Sequence, residues 1–300
     1  MCRNSRMDRG FHRYHPATCM IYYIGYFILC MLLHHPLFLI ASLIGIIIFN
    51  QLQDGGRQLR SYFVMYLVLA LSILVLNPLF TRRGREILFY LWDQPVTLEA
   101  ITSGWNMALS MLCILFGFVS FNLTITSGKF LYIYARFLPK SALVLMLAVR
   151  FVPLLKRRLY EISTVQRTKG VDVSTGRYWK RAKDGMLLLQ TLLTWCLEEA
   201  LQTADSMQSR GYGLVRQRTS YQRYLMRKED YLLILQLSVL FILCAVGWSL
   251  GYGKLQIYPV LESIAFSSTE WWFFLAWIIY IVTPILIEGR DEWRWGSLSK

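Results

Sequence analysis

Charged side chains are almost absent from six apolar stretches of this 300-residue chain. Glu270 is the one acid or base that the stretches contain, and they lie at 17–33, 36–50, 61–80, 103–127, 231–253 and 269–287. Helices of about 20 apolar residues span a bilayer. Carriers driven by protons or ions place ionisable side chains inside the membrane, so their scarcity here argues against a secondary transporter.

Motifs that identify enzymes and metal proteins are also missing. No G-x-x-x-x-G-K-[ST] phosphate-binding motif occurs, and the nearest fragment, Ser127-Gly128-Lys129-Phe130, is interpreted as a loop. The six cysteines form no C-x-x-C pair and are interpreted as small buried apolar residues. His12 and His15 have H-x-x-H spacing, but no further ligand lies near them in sequence, so we expect no metal and no cofactor. No set of Ser, His and acid residues falls on one face, which argues against a catalytic site.

Apolar residues, by contrast, make up 55% of the chain, and the mean hydropathy is +0.40. The sequence therefore predicts an all-α, polytopic membrane protein with about six membrane helices. We expect Trp271, Trp272 and Trp277 to form an interfacial belt around the last of these helices.

A seventh stretch, 131–154, is interpreted as a broken or interfacial helix. Charged residues interrupt it and leave only 141–149 free of charge, which is about 14 Å of helix and half of the bilayer core. Pro139 and Pro153 are expected to break it further.

Positive charge is concentrated in one block of the chain. Residues 150–228 hold 16 Lys and Arg against 6 Asp and Glu, which is +10 of the net charge of +14. Basic segments outside the bilayer lie in the cytoplasm, so we expect this block and both termini to be cytosolic. Its partners would be acidic protein surfaces or membrane lipids, since no nucleic-acid-binding motif accompanies the charge. Arg82, Arg83 and Arg85 would then face outside, against this tendency.

Apolar residues at steps of three and four predict two long amphipathic helices in the block. The first ends at Gly170 and carries the stripe Val152, Leu155, Leu159, Ile162 and Val165. The second runs from about Gly185 to Arg210 and carries the stripe Leu189, Leu193, Leu197, Leu201, Ala204 and Met207. Such stripes are expected to cover each other and the cytosolic ends of the membrane helices.

Each of these helices ends in a cation followed by glycine. The first ends in Arg167-Thr168-Lys169-Gly170 and the second in Arg210-Gly211. A cation near a helix C-terminus stabilises the helix dipole by a few tenths of a kcal/mol to about 1 kcal/mol. Two copies in one short block favour a second interpretation, in which the cations are docking points for other proteins.

These residues resemble the transmembrane T component of energy-coupling factor (ECF) transporters, the relatives of the cobalt-uptake permease. Members carry two coupling helices that end in Ala-Arg-Gly-like signatures. The run 150–154, followed by 166–170, resembles the first signature, and 204–212 resembles the second. Lys169 stands where the family usually has arginine, which keeps the charge but loses the planar fork.

The resemblance implies a multi-pass scaffold in the bacterial plasma membrane that is not itself an enzyme. It would join two cytosolic ATPases of the ABC type to a small membrane substrate-binding subunit for a vitamin or metal ion. Its ATPase-docking residues would be Arg167, Lys169, Gly170, Arg210 and Gly211. The domains would be membrane helices at 1–130, the coupling domain at 131–228, and further membrane helices and a cytosolic tail at 229–300. The alternative is a membrane-bound lipid-modifying enzyme whose basic face binds headgroups.

Overall fold

The computed structural model describes residues 10–81, 87–91, 94–174, 176–214, 224–253 and 268–298, with the backbone alone for 87–91, 94–96 and 292–298. A 3₁₀ turn, Gly10–Arg13, comes first. The helices that follow are α1 Pro16–Leu32, α2 Pro36–Asp54, α3 Arg57–Phe80, α4 Leu98–Thr124, α5 Ser127–Phe137, α6 Pro139–Thr168, α7 Tyr178–Ser209, α8 Lys228–Ser249 and α9 Glu270–Leu298.

The chain forms two compact units. The first, called the membrane unit, comprises Met1–Phe130 and Tyr224–Lys300. The second, called the inserted unit, comprises Leu131–Arg223 and contains α6, α7 and most of α5.

Among the described residues, α2, α3, α4, α8 and the first 22 residues of α9 are long and apolar enough to cross a membrane. The 17-residue helix α1 is apolar but shorter. These helices confirm the prediction of an all-α polytopic membrane protein.

Two helices of the membrane unit begin in the same way. His15 and His35 precede Pro16 and Pro36, and each histidine Nδ1 accepts a hydrogen bond from the amide two residues further on, at 3.2 Å and 3.4 Å. Proline suits the first helical position because the amide it lacks has no partner inside the helix there. The imidazole then satisfies one of the amides left over at the helix start.

Buried hydroxyl groups tie α1, α2 and α4 together. The Tyr23 hydroxyl lies 2.7 Å from both Ser120 Oγ and Thr124 Oγ1. Gln53 of α2 donates to Thr124 Oγ1 at 2.8 Å and accepts from Ser120 at 3.1 Å. Interhelical hydrogen bonds of this kind help to hold membrane helices together where lipid supplies no hydrophobic driving force.

Aromatic side chains join α9 to α1 and α2. Trp277 donates to the Phe38 carbonyl at 3.2 Å, and the Tyr280 hydroxyl donates to the Tyr22 carbonyl at 2.7 Å. The rings of Tyr22 and Tyr280 are stacked 5.3 Å apart. The expected place of Trp277 in an interfacial belt is therefore wrong, because its indole is 1% exposed and lies in the core.

Close approach of α9 to α2 depends on Gly45. A Cβ atom built on Gly45 would overlap Cγ2 of Ile281 on α9. Small residues allow membrane helices to approach closely. Ile281 is β-branched and stiff at χ1, so it cannot move aside easily.

We expect Gly45→Val to destabilise the protein by about 1–3 kcal/mol, because the added methyl groups force α2 and α9 apart. The apparent melting temperature in detergent should fall by roughly 2–12 °C. Gly289→Val is the control, since nothing lies within 4 Å of a Cβ on this glycine of α9. Equal melting temperatures for the two variants would contradict the close-approach role.

Four details differ from the sequence-based expectations. The Ser127–Phe130 fragment is not a loop; it forms the first turn of α5. The 131–154 stretch does break, at Leu138, but Pro153 lies inside α6. Helix α7 begins at Tyr178 rather than near Gly185. An unexpected antiparallel strand pair, β1 Ile87–Leu91 and β2 Gln94–Thr97, joins α3 to α4.

Candidate functional site

The first cation–glycine sequence ends α6 in a Schellman motif. Thr168 is the last helical residue, Lys169 is the C-cap, and Gly170 has a φ of 82°. The Gly170 amide donates to the Arg167 carbonyl and the Val171 amide to the Gln166 carbonyl, both at 3.0 Å. These two bonds satisfy carbonyls that a helix end otherwise leaves unpaired, and the positive φ favours glycine.

The second sequence ends α7 with the same geometry. Arg210 is the C-cap and Gly211 has a φ of 83°. The Gly211 amide donates to the Gln208 carbonyl at 2.9 Å, and the Tyr212 amide donates to the Met207 carbonyl at 3.0 Å. Lys169 and Arg210 therefore occupy equivalent C-cap positions, each directly after the last helical residue.

A third helix end separates the role of the glycine from that of the cation. Helix α8 also closes with Gly251 at a φ of 95°, and its two bonds join Gly251 to Trp248 and Tyr252 to Gly247. Its C-cap is Leu250. The motif therefore needs glycine but not a cation, so its backbone geometry does not account for the cations at the ends of α6 and α7.

The two cationic ends differ in their surroundings. Arg167 Nε lies 3.5 Å from Asp172 Oδ1, and the two side chains are 58% and 26% exposed. The same Asp172 oxygen accepts bonds from the Ser174 amide at 2.9 Å and hydroxyl at 2.7 Å, which orders the loop after α6. Lys169 and Arg210 are exposed, and within the described part of the chain neither forms an ion pair.

The sequence itself assigns the chain to a family. The model of the family described as "CbiQ: Cobalt transport protein" matches residues 7–221 of this chain. That match includes both cationic helix ends and covers more than half of the chain. The chain belongs to the CbiQ cobalt transport protein family.

Curated relatives of this CbiQ family member carry the name energy-coupling factor transporter transmembrane protein EcfT. The chain is 27% identical to the protein of Acidaminococcus fermentans over 78% of its own length and 91% of the relative. It is 25% identical to that of Lactococcus lactis subsp. cremoris over 81% and 94%. A segment of 89 residues is 40% identical to the Leuconostoc gelidum protein, which covers 30% of this chain and about a third of that relative. The chain is thus similar to transmembrane components of ECF transporters.

One arginine of the CbiQ-type chain links the two helices that carry the cationic ends. Arg158 of α6 lies over the ring of Trp195 on α7, 4.9 Å from the centroid. Glu161 holds the same guanidinium at 2.7 Å. A cation over an aromatic face contributes about 0.5–1 kcal/mol at an exposed site. Sequence periodicity did not reveal this contact, because it joins two helices and follows no local pattern.

Helix α7 has two apolar faces, and only one of them is buried. Leu188 and Trp195 lie on one face, where Leu188 is 6% exposed and Trp195 contacts α6. The predicted stripe lies on another face, and its leucines are more than half exposed: Leu189, Leu193, Leu197 and Leu201. The expectation that this stripe covers the partner helix is therefore wrong. We call these four residues the open leucine face.

Within the described residues, no three His, Cys, Asp or Glu side chains come together as a metal site. Glu198 and Glu199, adjacent on α7, point about 100° apart and so do not converge on one substrate.

Proposed function

We propose that this chain is the coupling subunit of an ECF-type importer. It joins two ATPases of the ABC type to a small membrane subunit that binds a vitamin or metal ion. The observation that carries this proposal is the pair of equivalent helix ends, each of which presents an exposed cation at the C-cap. Each end docks on one ATPase.

Carboxylates on the ATPases are the expected partners of these cations. A charge-assisted hydrogen bond is about twice as strong as a neutral one. Arg210 offers a planar fork that fits a carboxylate in a bidentate manner, whereas Lys169 is a point charge. Arg167, held near Asp172, supplies a guanidinium at the first end that Lys169 cannot supply.

The open leucine face serves the third partner. Exposed apolar patches on a protein surface mark sites of interaction with proteins or membranes. A small membrane subunit has an apolar surface that complements four leucines on one helix. ATP-driven movement of the ATPases displaces α6 and α7, and the leucine contact passes that movement to the substrate-binding subunit. ATP hydrolysis takes place in the partners.

The placement of charge supports a cytosolic inserted unit. The chain passes from the membrane unit to the inserted unit after Phe130 and returns at Tyr224. Lys129 and Tyr224, beside these two crossings, both contact the 10–15 segment, so the crossings lie at one end of the membrane unit. The basic block, residues 150–228, lies almost wholly between these crossings and carries +10, as cytoplasmic segments do. Both termini are on this same, cytosolic side. The membrane that the protein spans is the plasma membrane of a bacterium.

The composition of the purified complex tests this proposal. The tagged chain is purified in mild detergent from cells that encode it, and bound proteins are identified by mass spectrometry. We expect two ABC-type ATPases and one small membrane protein. A chain that purifies alone and turns over lipid would instead support the lipid-modifying enzyme.

A further inference from the structure

Two buried charged residues flank the inserted unit. The chain leaves the membrane unit after Phe130 and returns at Tyr224. Lys129, just before the exit, is 7% exposed, and Asp230, in the first turn of α8, is 3% exposed. Both side chains bond to the backbone of one short segment, residues 10–15, which we call the clamp segment.

Lys129 holds the clamp segment at the exit. Its ammonium donates to the His12 carbonyl at 2.7 Å and to the Thr124 carbonyl at 3.3 Å. Burying an ammonium group costs several kcal/mol unless its hydrogen bonds are good. A methionine would fill a similar volume at no such cost, so we attribute the charge to the bonds that it makes with backbone carbonyls, of which His12 belongs to the clamp segment.

Asp230 holds the same segment at the return. One carboxylate oxygen accepts a hydrogen bond from the His15 amide at 2.9 Å, and the other accepts from the Arg227 amide at 2.8 Å. The second bond caps the start of α8, while the first joins that start to the clamp segment. The Tyr224 ring also meets the His15 ring edge-on, 6.4 Å between centroids.

The other end of the clamp segment is fixed to α9. Glu288 accepts from the Phe11 amide at 2.8 Å and Asp291 accepts from the Gly10 amide at 3.1 Å. The Phe11 side chain is fully buried against Tyr22, with ring centroids 5.6 Å apart. The segment is therefore a fixed support and cannot follow a displacement of one crossing alone.

We propose that Lys129 and Asp230 are positioning residues that clamp both crossings of the inserted unit to one rigid support. Because His12 and His15 are three residues apart, the exit and the return are held at a constant separation. Movement of the inserted unit then reaches α4 and α8 together, instead of being lost as fraying at one crossing. This inference rests on the proposed coupling function.

Hydrogen exchange in the full chain tests the clamp directly. In Lys129→Met, we expect amides at both 127–131 and 224–230 to exchange about tenfold faster or more, since a hydrogen bond to a charged group is lost. Exchange at 224–230 is the decisive measurement, because the side chain that caps the start of α8 is Asp230 and not Lys129. Lys140→Met is the control, as this lysine is exposed at the start of α6. Faster exchange confined to 127–131 would overturn the clamp.

Asp230→Asn provides a second variant that keeps the size of the side chain. The asparagine side chain has one acceptor oxygen for the two amides, of His15 and Arg227, that the Asp230 carboxylate serves. We therefore expect the loss at the return to weaken the exit as well, with faster exchange at 127–131. Unchanged exchange there would also overturn the clamp, whatever the folding yield of Lys129→Met.

Transport by the purified complex in phospholipid vesicles separates the clamp from docking. For Lys129→Met we expect the ATPases to remain bound while uptake per ATP hydrolysed falls about tenfold, and Lys129→Arg to restore it. Normal uptake per ATP would sink the clamp but not the proposed function. Absence of ATPases from the wild-type complex would contradict the proposed function. The exchange measurement on the full chain would still test the clamp, because it does not depend on the ATPases.

Discussion

Arg210→Glu is expected to abolish stable association of the chain with its ATPases. The substitution places a carboxylate opposite the carboxylates that Arg210 would bind. Loss of one partner of a buried, hydrogen-bonded charge pair costs about 2–5 kcal/mol, which is roughly a 30- to 5,000-fold loss of affinity. The helix end itself should persist, because Leu250 occupies the same position in α8 without a cation.

Lys183→Glu is the matched control for Arg210→Glu. Lys183 is exposed near the start of α7, about 40 Å along the helix from Arg210, and the change in net charge is the same. We expect this variant to retain its ATPases. Co-purification and uptake are measured for both, and intact assembly and uptake in Arg210→Glu would end the docking hypothesis. An equal loss in both variants would mean that net charge, rather than the helix end, attracts the ATPases.

Replacing Leu193 and Leu197 together with glutamine is expected to release the small membrane subunit while the ATPases stay bound. These side chains are 62% and 68% exposed, so their loss should hardly affect the stability of the chain alone. Burial of a leucine against a partner contributes about 1.5–3 kcal/mol. Two such losses weaken binding by roughly 100-fold or more.

The control for the leucine pair lies on another side of the same helix. Thr191 is exposed and points well away from Leu193 and Leu197, and its hydroxyl donates to the Leu187 carbonyl at 3.0 Å. Its replacement by glutamine should leave all subunits in place. Quantitative mass spectrometry of the purified complex gives the ratio of subunits, and an unchanged ratio in the leucine variant would show that the open leucine face binds something else.

Local patterns in the sequence were enough to predict the membrane helices and both cationic helix ends. The apolar stretches are continuous, and a glycine with positive φ marks where α6 and α7 stop. Periodicity also identified the stripe at Leu193 and Leu197. It could not tell which of two apolar faces on α7 would be buried, because Trp195 and Arg158 make that choice across two helices.

Contacts between residues far apart in sequence explain part of what the sequence did not predict. Trp277 has the composition of an interfacial residue, yet Phe38, 239 residues away, supplies the carbonyl that satisfies its indole in the core. The fragment that contains Lys129 is interpreted from sequence as a loop because it lacks the residues of a phosphate-binding motif, and no local pattern shows that Lys129 bonds to the His12 carbonyl 117 residues earlier. Pro153 is tolerated within α6, although a proline inside a helix commonly kinks or breaks it.

The attachment of the clamp segment to α9 also bears on how the protein is made. Glu288 and Asp291 bond to amides that were synthesised 277 and 281 residues earlier. Chains are synthesised from the N-terminus at about 5–20 residues per second, so the clamp segment stays without these two carboxylates for tens of seconds. Gly10 and Phe11 therefore reach their final place only after α9 has been made, late in the synthesis of the residues that surround them.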